Sequence, residues 1–188
     1  MARKKNYIES EVIEKAMLLF WDNGYETTSV RMLEKTMGIN QFSMYASFGS
    51  KQGVFLESIK RYKSKAREEL IEPMNTSNNG VEDIKQYFYN FIEFSKESSH
   101  CKGCLLTNTA NEFGESIEKQ IKSEIIQFAT KIKEAFIDKL KQDSTKDEPT
   151  IEKQANYLMI ALQGVSVASK MFTTKQLDDF IEITFEHI

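Results

Sequence analysis

The stretch SVRMLEKTMGINQFSMYASF, Ser29 to Phe48, decides how the rest of the chain is read. Ser29 is an N-cap residue for a short helix, Val30 to Met37, whose Val30, Leu33 and Met37 share an inner face. Gly38 supplies the backbone freedom for a sharp bend, and Ile39 supplies an apolar residue to lock it. Asn40 then caps a second short helix, Gln41 to Ser47. Two short helices around a glycine turn make a helix-turn-helix. The second helix is too short and too polar outside to be a core element, so Gln41, Phe42, Ser43 and Ala46 are expected to face a DNA major groove. Gln41 suits an adenine edge, and Phe42 or Ala46 suits a thymine methyl. Thr28, Ser43, Tyr45 and Lys51 have donors for phosphates, and Arg31 fits either role. With the two cap residues Ser29 and Asn40, these form the expected DNA-contacting set.

Working outward, Glu9 to Asn23 carries an apolar stripe through Val12, Ile13, Ala16, Met17, Leu19 and Phe20, ended by Gly24. Ser50 caps a longer helix whose inner face is Phe55, Ile59, Tyr62, Ala66 and Leu70. The breaker cluster PMNTSNNG, residues 73–80, marks a boundary. Beyond it, helical spacing predicts Val81 to Ser99, Leu105 to Phe113, Ser116 to Gln142, Ile151 to Met171 capped by Thr150, and Gln176 to His187. The 188 residues include only two prolines and eight glycines, too little punctuation for a turn-rich β fold. The expected fold is all-α: a helix-turn-helix head over residues 1–50, a connecting helix over 51–72, and a helical body over 73–188.

Charge supports a nucleic-acid head. The net charge is −3, but residues 1–67 hold twelve Lys and Arg against seven Asp and Glu, and the rest of the chain holds thirteen against twenty-one. Arg3, Lys4 and Lys5 read as a basic arm that adds phosphate attraction. No run of 18 apolar residues occurs, so no membrane partner is expected. Nucleotide-binding and nucleophile-elbow motifs are absent, and no Glu-x-x-His pair accompanies Glu112 and Glu115. The chain reads as a non-enzyme without a cofactor, and Asn111, Glu112 and Glu115 read as a solvated face.

The run Phe20-Trp21-x-x-Gly24-Tyr25-x-Thr27-Thr28-Ser29-Val30-Arg31, followed by Gly38-Ile39-x-x-x-Ser43-Met44-Tyr45-x-x-Phe48-Gly49-Ser50-Lys51, resembles the N-terminal domain of TetR-family transcriptional regulators. The likeness covers about residues 8 to 60. It implies a dimeric repressor on a roughly palindromic double-stranded operator, released by a small-molecule effector bound in the body. Phe42 stands where the family usually has a small residue, and Ala46-Ser47 where histidine or asparagine is common, so base preference stays open.

Cys101 and Cys104 are the only cysteines, which excludes a multi-disulfide scaffold and points to a reducing, cytoplasmic setting. Their C-x-x-C spacing lacks a zinc ligand set, since only His100 and the distant His187 remain, so no metal is expected. One reading is a thiol switch, with Cys101 beside His100 and Lys102 and Cys104 near a helix start, settings that activate thiols. The other reading is that Cys104 is a small buried hydrophobe. The string Gly103-Cys104-Leu105-Leu106-x-Asn108-Thr109-Ala110 resembles a TetR subgroup, some members of which respond to electrophiles through a cysteine here.

Tyr87, Phe88, Phe91, Cys104, Phe128, Met159 and Gln163 are the expected ligand-binding residues, with plain core packing as the alternative for each. The helix from Ile151 is apolar on most sides, so its outer face needs cover. Leu158, Ala161, Leu162, Val165, Phe180, Ile181 and Phe185 are expected to form a homodimer interface. Three functions compete: a ligand-released repressor, a thiol-switched repressor of the same fold, and a helical protein-interaction module that does not bind DNA.

Overall fold

Three successive helices near the N-terminus start on a side-chain cap. In the computed structural model, which describes residues 7–97, 100–116, 118–143, 145–186 and 188, Ser29 accepts from the Met32 N–H, Asn40 from Ser43 and Ser50 from Gly53. Each such cap stabilises its helix by about 1 kcal/mol. Helices of two turns are marginal alone, so burial supplies the rest. The helices are α1 (Glu9–Asn23), α2 (Val30–Met37), α3 (Gln41–Phe48) and α4 (Lys51–Ala66). Phe20, Leu33, Met37, Met44 and Phe55 close their shared core. Each contributes roughly 1.5–3 kcal/mol by leaving water. The third and fourth helices meet tightly: a Cβ at Gly53 would lie 1.8 Å from the Phe48 carbonyl, so only glycine fits there.

The connecting helix runs further than its sequence predicts. After α4 the backbone passes through a π-helical turn, Arg67–Ile71, into α5 (Glu72–Thr76). Pro73 lies in the first turn of α5 instead of ending the helix. A π turn reroutes the backbone bonds just where proline lacks its N–H. The body follows: α6 (Val81–Ser95), a two-residue antiparallel pair of β1 (Lys96–Glu97) and β2 (His100–Cys101), α7 (Leu105–Phe113), α8 (Lys119–Leu140), α9 (Glu148–Ala168) and α10 (Thr174–Phe185). The sixth helix stops four residues short of Ser99. Its Ser95 hydroxyl bonds back to Ile92, and the Ser95 carbonyl accepts the Lys102 N–H, which turns the chain over.

The ninth helix starts three residues before the sequence expectation. Asp147, not Thr150, is its cap, and Pro149 occupies the first turn, where proline is favoured. A capping box between Thr173 and Gln176 opens α10 two residues early. The eighth helix begins at Lys119, after a 3₁₀ turn, Gly114–Ser116. The basic arm of Arg3, Lys4 and Lys5, and also Ile117 and His187, lie outside the described residues. The fourth helix ties head to body. Phe55 meets Phe20 edge-on at 4.8 Å in the head, and two turns later Tyr62 meets Trp21 at 5.0 Å, Phe94 at 5.6 Å and Phe128 at 6.4 Å. Among the described residues no helix is long and apolar enough to cross a membrane.

Candidate functional site

The third helix is held from behind and left bare in front. The Glu34 carboxylate accepts the Gln41 N–H at 2.5 Å, and Asn40 Oδ1 accepts from Ser43 at 2.8 Å. The Tyr7 hydroxyl donates to the Ser43 carbonyl at 3.1 Å and shares a 2.7 Å hydrogen bond with Ser47. Met44 points into the core. Gln41, Phe42 and Ala46 are exposed and line one surface hollow with Tyr45. Phe42 is 80 % exposed, an unusual position for a phenylalanine on a helix clamped this firmly.

Not every expected contact residue is on that surface. Thr28 is fully buried, and its hydroxyl donates to the Gly24 carbonyl at 2.6 Å. It holds the α1–α2 turn and is not available to a phosphate. The side-chain oxygens of Ser29 and Asn40 are engaged as helix caps. Ser43 is half-buried, Arg31 is exposed at the start of α2, and the Lys51 ammonium sits 4.2 Å above the Tyr25 ring.

The body contains a cavity of about 270 Å³ between α4, α6, α7, α8 and α9. Six of the seven expected ligand residues, Tyr87, Phe91, Cys104, Phe128, Met159 and Gln163, line it. The seventh, Phe88, does not. It is fully buried against Phe136 and Phe185, at 6.2 and 5.3 Å between ring centres, because one helical position rotates it away from its neighbour Tyr87. Tyr62, absent from the expected set, is part of the wall. Burial, and then the neighbouring Cys104 thiol, push the Tyr62 phenol well above its ordinary range. Cys104 is the N-cap residue of α7, and its N–H donates to Ser166 at 2.9 Å.

A second hollow of about 300 Å³ lies on the other side of α7, where body meets head. Glu112, read from sequence as solvated, reaches across it. Its two carboxylate oxygens accept the N–H groups of Tyr25 and Glu26 at 2.9 and 2.7 Å. Gly24 makes room, since a Cβ there would lie 2.9 Å from the carboxylate, and its φ of +76° favours glycine. Lys102 is buried, pairs with Asp22 at 2.7 Å and lies 5.5 Å from the Trp21 ring. The Trp21 indole donates to the Gly103 carbonyl at 3.0 Å. Cys101 lines this cleft and Cys104 the cavity, so the C-x-x-C pair is divided between the two, and both cysteines are free. No local spacing could have exposed the Glu112 clasp, which joins residues 87 apart.

The expected dimer residues require correction. Leu158, Ala161, Leu162, Val165 and Ile181 are buried within the chain's own core, and Phe185 packs on Phe88. Of the seven, Phe180 alone is exposed, at 42 %. The bare stripe of α9 is instead Tyr157, Ile160, Gly164 and Val167, continued by Met171 in the turn after it, at alternating spacings of three and four. The tenth helix adds Phe180 and Ile183. Leu158, Ala161, Leu162 and Val165 lie on the face of this apolar helix that meets the chain's own core, not on its outer face. Among the described residues no group of three or more His, Cys, Asp or Glu could hold a metal.

Comparison with known proteins agrees with this geometry. Residues 12–58 match the family model described as "Bacterial regulatory proteins, tetR family". The HTH-type negative transcriptional regulator IcaR of the biofilm operon icaADBC in Staphylococcus aureus is 28 % identical over 142 residues, 75 % of each chain. The uncharacterized HTH-type transcriptional regulator YezE of Bacillus subtilis is 28 % identical over 112 residues, 60 % of this chain and 58 % of YezE. A cysteine-substituted form of the TetR family regulator CifR, solved with 26-bp operator DNA, superposes with a TM-score of 0.85 at 20 % identity, covering 98 % of both chains. Escherichia coli NemR in its reduced form superposes at 0.77 with 16 % identity, over 94 % of this chain and 92 % of NemR. The last two likenesses concern the fold, and the first locates the head. Residues 12–58 thus match the TetR-family DNA-binding head, and the chain as a whole shares the fold of solved TetR-family regulators.

Proposed function

We propose that this protein is a homodimeric cytoplasmic repressor that places α3 in the major groove of a roughly palindromic operator and leaves it when a small molecule fills the body cavity. The observation that carries this reading is the face of Gln41, Phe42 and Ala46, bare on a helix fixed on its other sides. Phe42 is suited to a thymine methyl and Gln41 to an adenine edge. Lys51 and Arg31 supply phosphate attraction. Residues 1–50 form the reading head, 51–72 the link and 73–188 the sensing body. Two copies meeting through Tyr157, Ile160, Gly164, Val167 and Met171 would present two α3 helices to two half-sites. IcaR, a negative regulator by its name, and the operator-bound CifR support the assignment.

The test is fluorescence anisotropy on DNA from upstream of the protein's own gene, against scrambled DNA, at two salt concentrations. Tight binding that prefers the native sequence and weakens steeply with salt supports the reading. Binding without salt dependence or preference would instead favour a helical interaction module. Ile160, 72 % exposed, tests the dimer. Ile160→Arg should sediment as a monomer, keep its helical content and lose operator affinity by at least a hundredfold.

A second reading has its own observation: Cys104 is in the cavity wall and its thiol neighbours Tyr62. An electrophile entering there would be attached to sulfur and would occupy the cavity covalently. This thiol-switched form predicts that alkylation releases DNA and that the Cys101→Ser, Cys104→Ser double variant resists. A double variant that still responds to electrophiles would sink it.

A further inference from the structure

The cavity wall has a chemical bias. Among the described residues, its lining includes no Asp, Glu, Lys, Arg or His. Its polar side chains are mostly engaged with one another. Thr107 donates to Gln163 at 2.5 Å, Ser166 accepts the Cys104 N–H, and the Tyr62 hydroxyl is turned to Cys104 and Leu105. Two wall residues stand apart, the exposed Asn111 and the buried Tyr87. Tyr87 is only 2 % exposed, and its hydroxyl makes no hydrogen bond to any described residue. Tyr87 is a wall residue of the cavity, beside Phe91 of the same helix and Cys104. A hydroxyl on a cavity wall that bonds to no other described residue is open to a ligand group, as donor or acceptor.

We infer that the cavity takes an uncharged, largely apolar molecule with one hydroxyl or carbonyl group, which bonds to the Tyr87 hydroxyl. The inference rests on reading the cavity as the effector site and names the class of effector. Size follows from volume. A cavity of 150 Å³ accommodates benzene, so one of about 270 Å³ suits a molecule of roughly ten to twelve heavy atoms. The rings of Tyr62, Phe91 and Phe128 favour a flat guest. An ion entering this wall would give up its hydration and meet no counter-charge.

Three isosteric probes test it: cinnamyl alcohol, cinnamate and cinnamylammonium, each titrated calorimetrically into the intact protein and into Tyr87→Phe. Operator binding is followed separately by anisotropy. The alcohol is expected to bind the native protein at least tenfold more tightly than either ion. Tyr87→Phe should weaken the alcohol about threefold to tenfold. It should leave the ligand-free melting temperature unchanged or raised, since no bond within the chain is lost. Equal binding of either ion, or no binding of the alcohol, overturns the ligand class. Full affinity in Tyr87→Phe overturns the role of Tyr87. Selective binding of the alcohol with undiminished operator affinity supports the ligand class and defeats the repressor-release reading instead.

Discussion

On one side of α7, Leu106, Thr107 and Ala110 face a cavity with no charged wall residue; on the other, Leu105, Asn108, Thr109 and Glu112 face a cleft that also holds Asp22, Lys102 and Lys170. The two sets interleave along one nine-residue helix at helical spacing. Apolar contacts are non-directional and tolerate small shifts. Hydrogen bonds weaken steeply once their geometry is lost. A guest that displaces α7 therefore costs little on the cavity side and loosens the grip on Tyr25 and Glu26 on the other. Under the proposed release by a cavity ligand, this contrast makes α7 the relay to test, with α4 beside it as the lever.

The largest effect should come from testing how the body treats charge at all. Its buried ion pair is Asp83 with Lys139, 2.9 Å apart, with side chains 8 % and 4 % exposed. Lys139 also donates to the Ser77 carbonyl, and the Asn79 N–H donates to Asp83. Asp83→Ala should cost about 3 kcal/mol, because it leaves a buried ammonium without its carboxylate. Burial pushes the Asp83 carboxyl up, but hydrogen bonds from Ser77, Lys139 and Asn79 outweigh it and hold the group below its ordinary range. A depressed folded value means that the stabilisation is whole above about pH 5 and fades as pH falls through the carboxylate range. Urea midpoints between pH 7 and pH 3 should therefore fall further for the native protein than for Asp83→Asn. An equal fall would remove the pair from the account.

Next in size is the cavity side itself. Leu106 is 3 % exposed, and Leu106→Ala should cost about 2–3 kcal/mol in urea unfolding, the low end for a buried leucine because a hollow already adjoins it. A cost above about 4 kcal/mol would show the cavity collapsed in solution.

Much of this arrangement was legible in the residues. The helices were, because each buries one stripe at the helical period, and Val12, Ala16, Phe55, Ile59 and Tyr62 all reach the core. The α3 surface was, because Asn40, Gly38 and the outward Gln41 and Phe42 are local signals. Most of the cavity was legible as an aromatic cluster, yet Phe88 was not separable from Tyr87 and Phe91 by composition alone. Two classes of feature were hidden. In a helix apolar all round, periodicity does not say which face meets the chain's own core, so Leu158, expected at an outer interface, is instead fully buried. The Glu112 clasp depends on tertiary placement, since a carboxylate in α7 and two N–H groups after α1 share no pattern in sequence.

The clasp gives the next smaller prediction. Glu112→Gln keeps the shape of the side chain and removes its charge, and should cost about 1 kcal/mol of stability. Its main effect should be on coupling. With the grip weakened, less ligand-derived strain reaches the head, so saturating cinnamyl alcohol should lower operator affinity less than in the native protein. Coupling is reciprocal, so operator DNA should also lower the affinity for the alcohol less in this variant. Unchanged coupling in both directions would take α7 out of the relay.

Thr107→Val sharpens the comparison with the smallest expected change. Thr107 is on the cavity side of the same helix and, like Glu112, bonds across to another part of the chain, donating to Gln163 of α9 at 2.5 Å. Valine keeps the shape and loses the donor, for a cost of about 0.5–1 kcal/mol. The alcohol's affinity should move by no more than about fivefold, in either direction, because a freed Gln163 is one more group for the guest to meet. The ratio of operator affinities with and without the guest should stay native, since nothing on the head side has changed. Glu112→Gln and Thr107→Val are thus matched in stability cost and opposed in readout. One alters coupling and spares the cavity; the other alters the cavity and spares coupling. If both alter coupling equally, the two sides of α7 are not distinct, and the signal travels through the packing of the whole body.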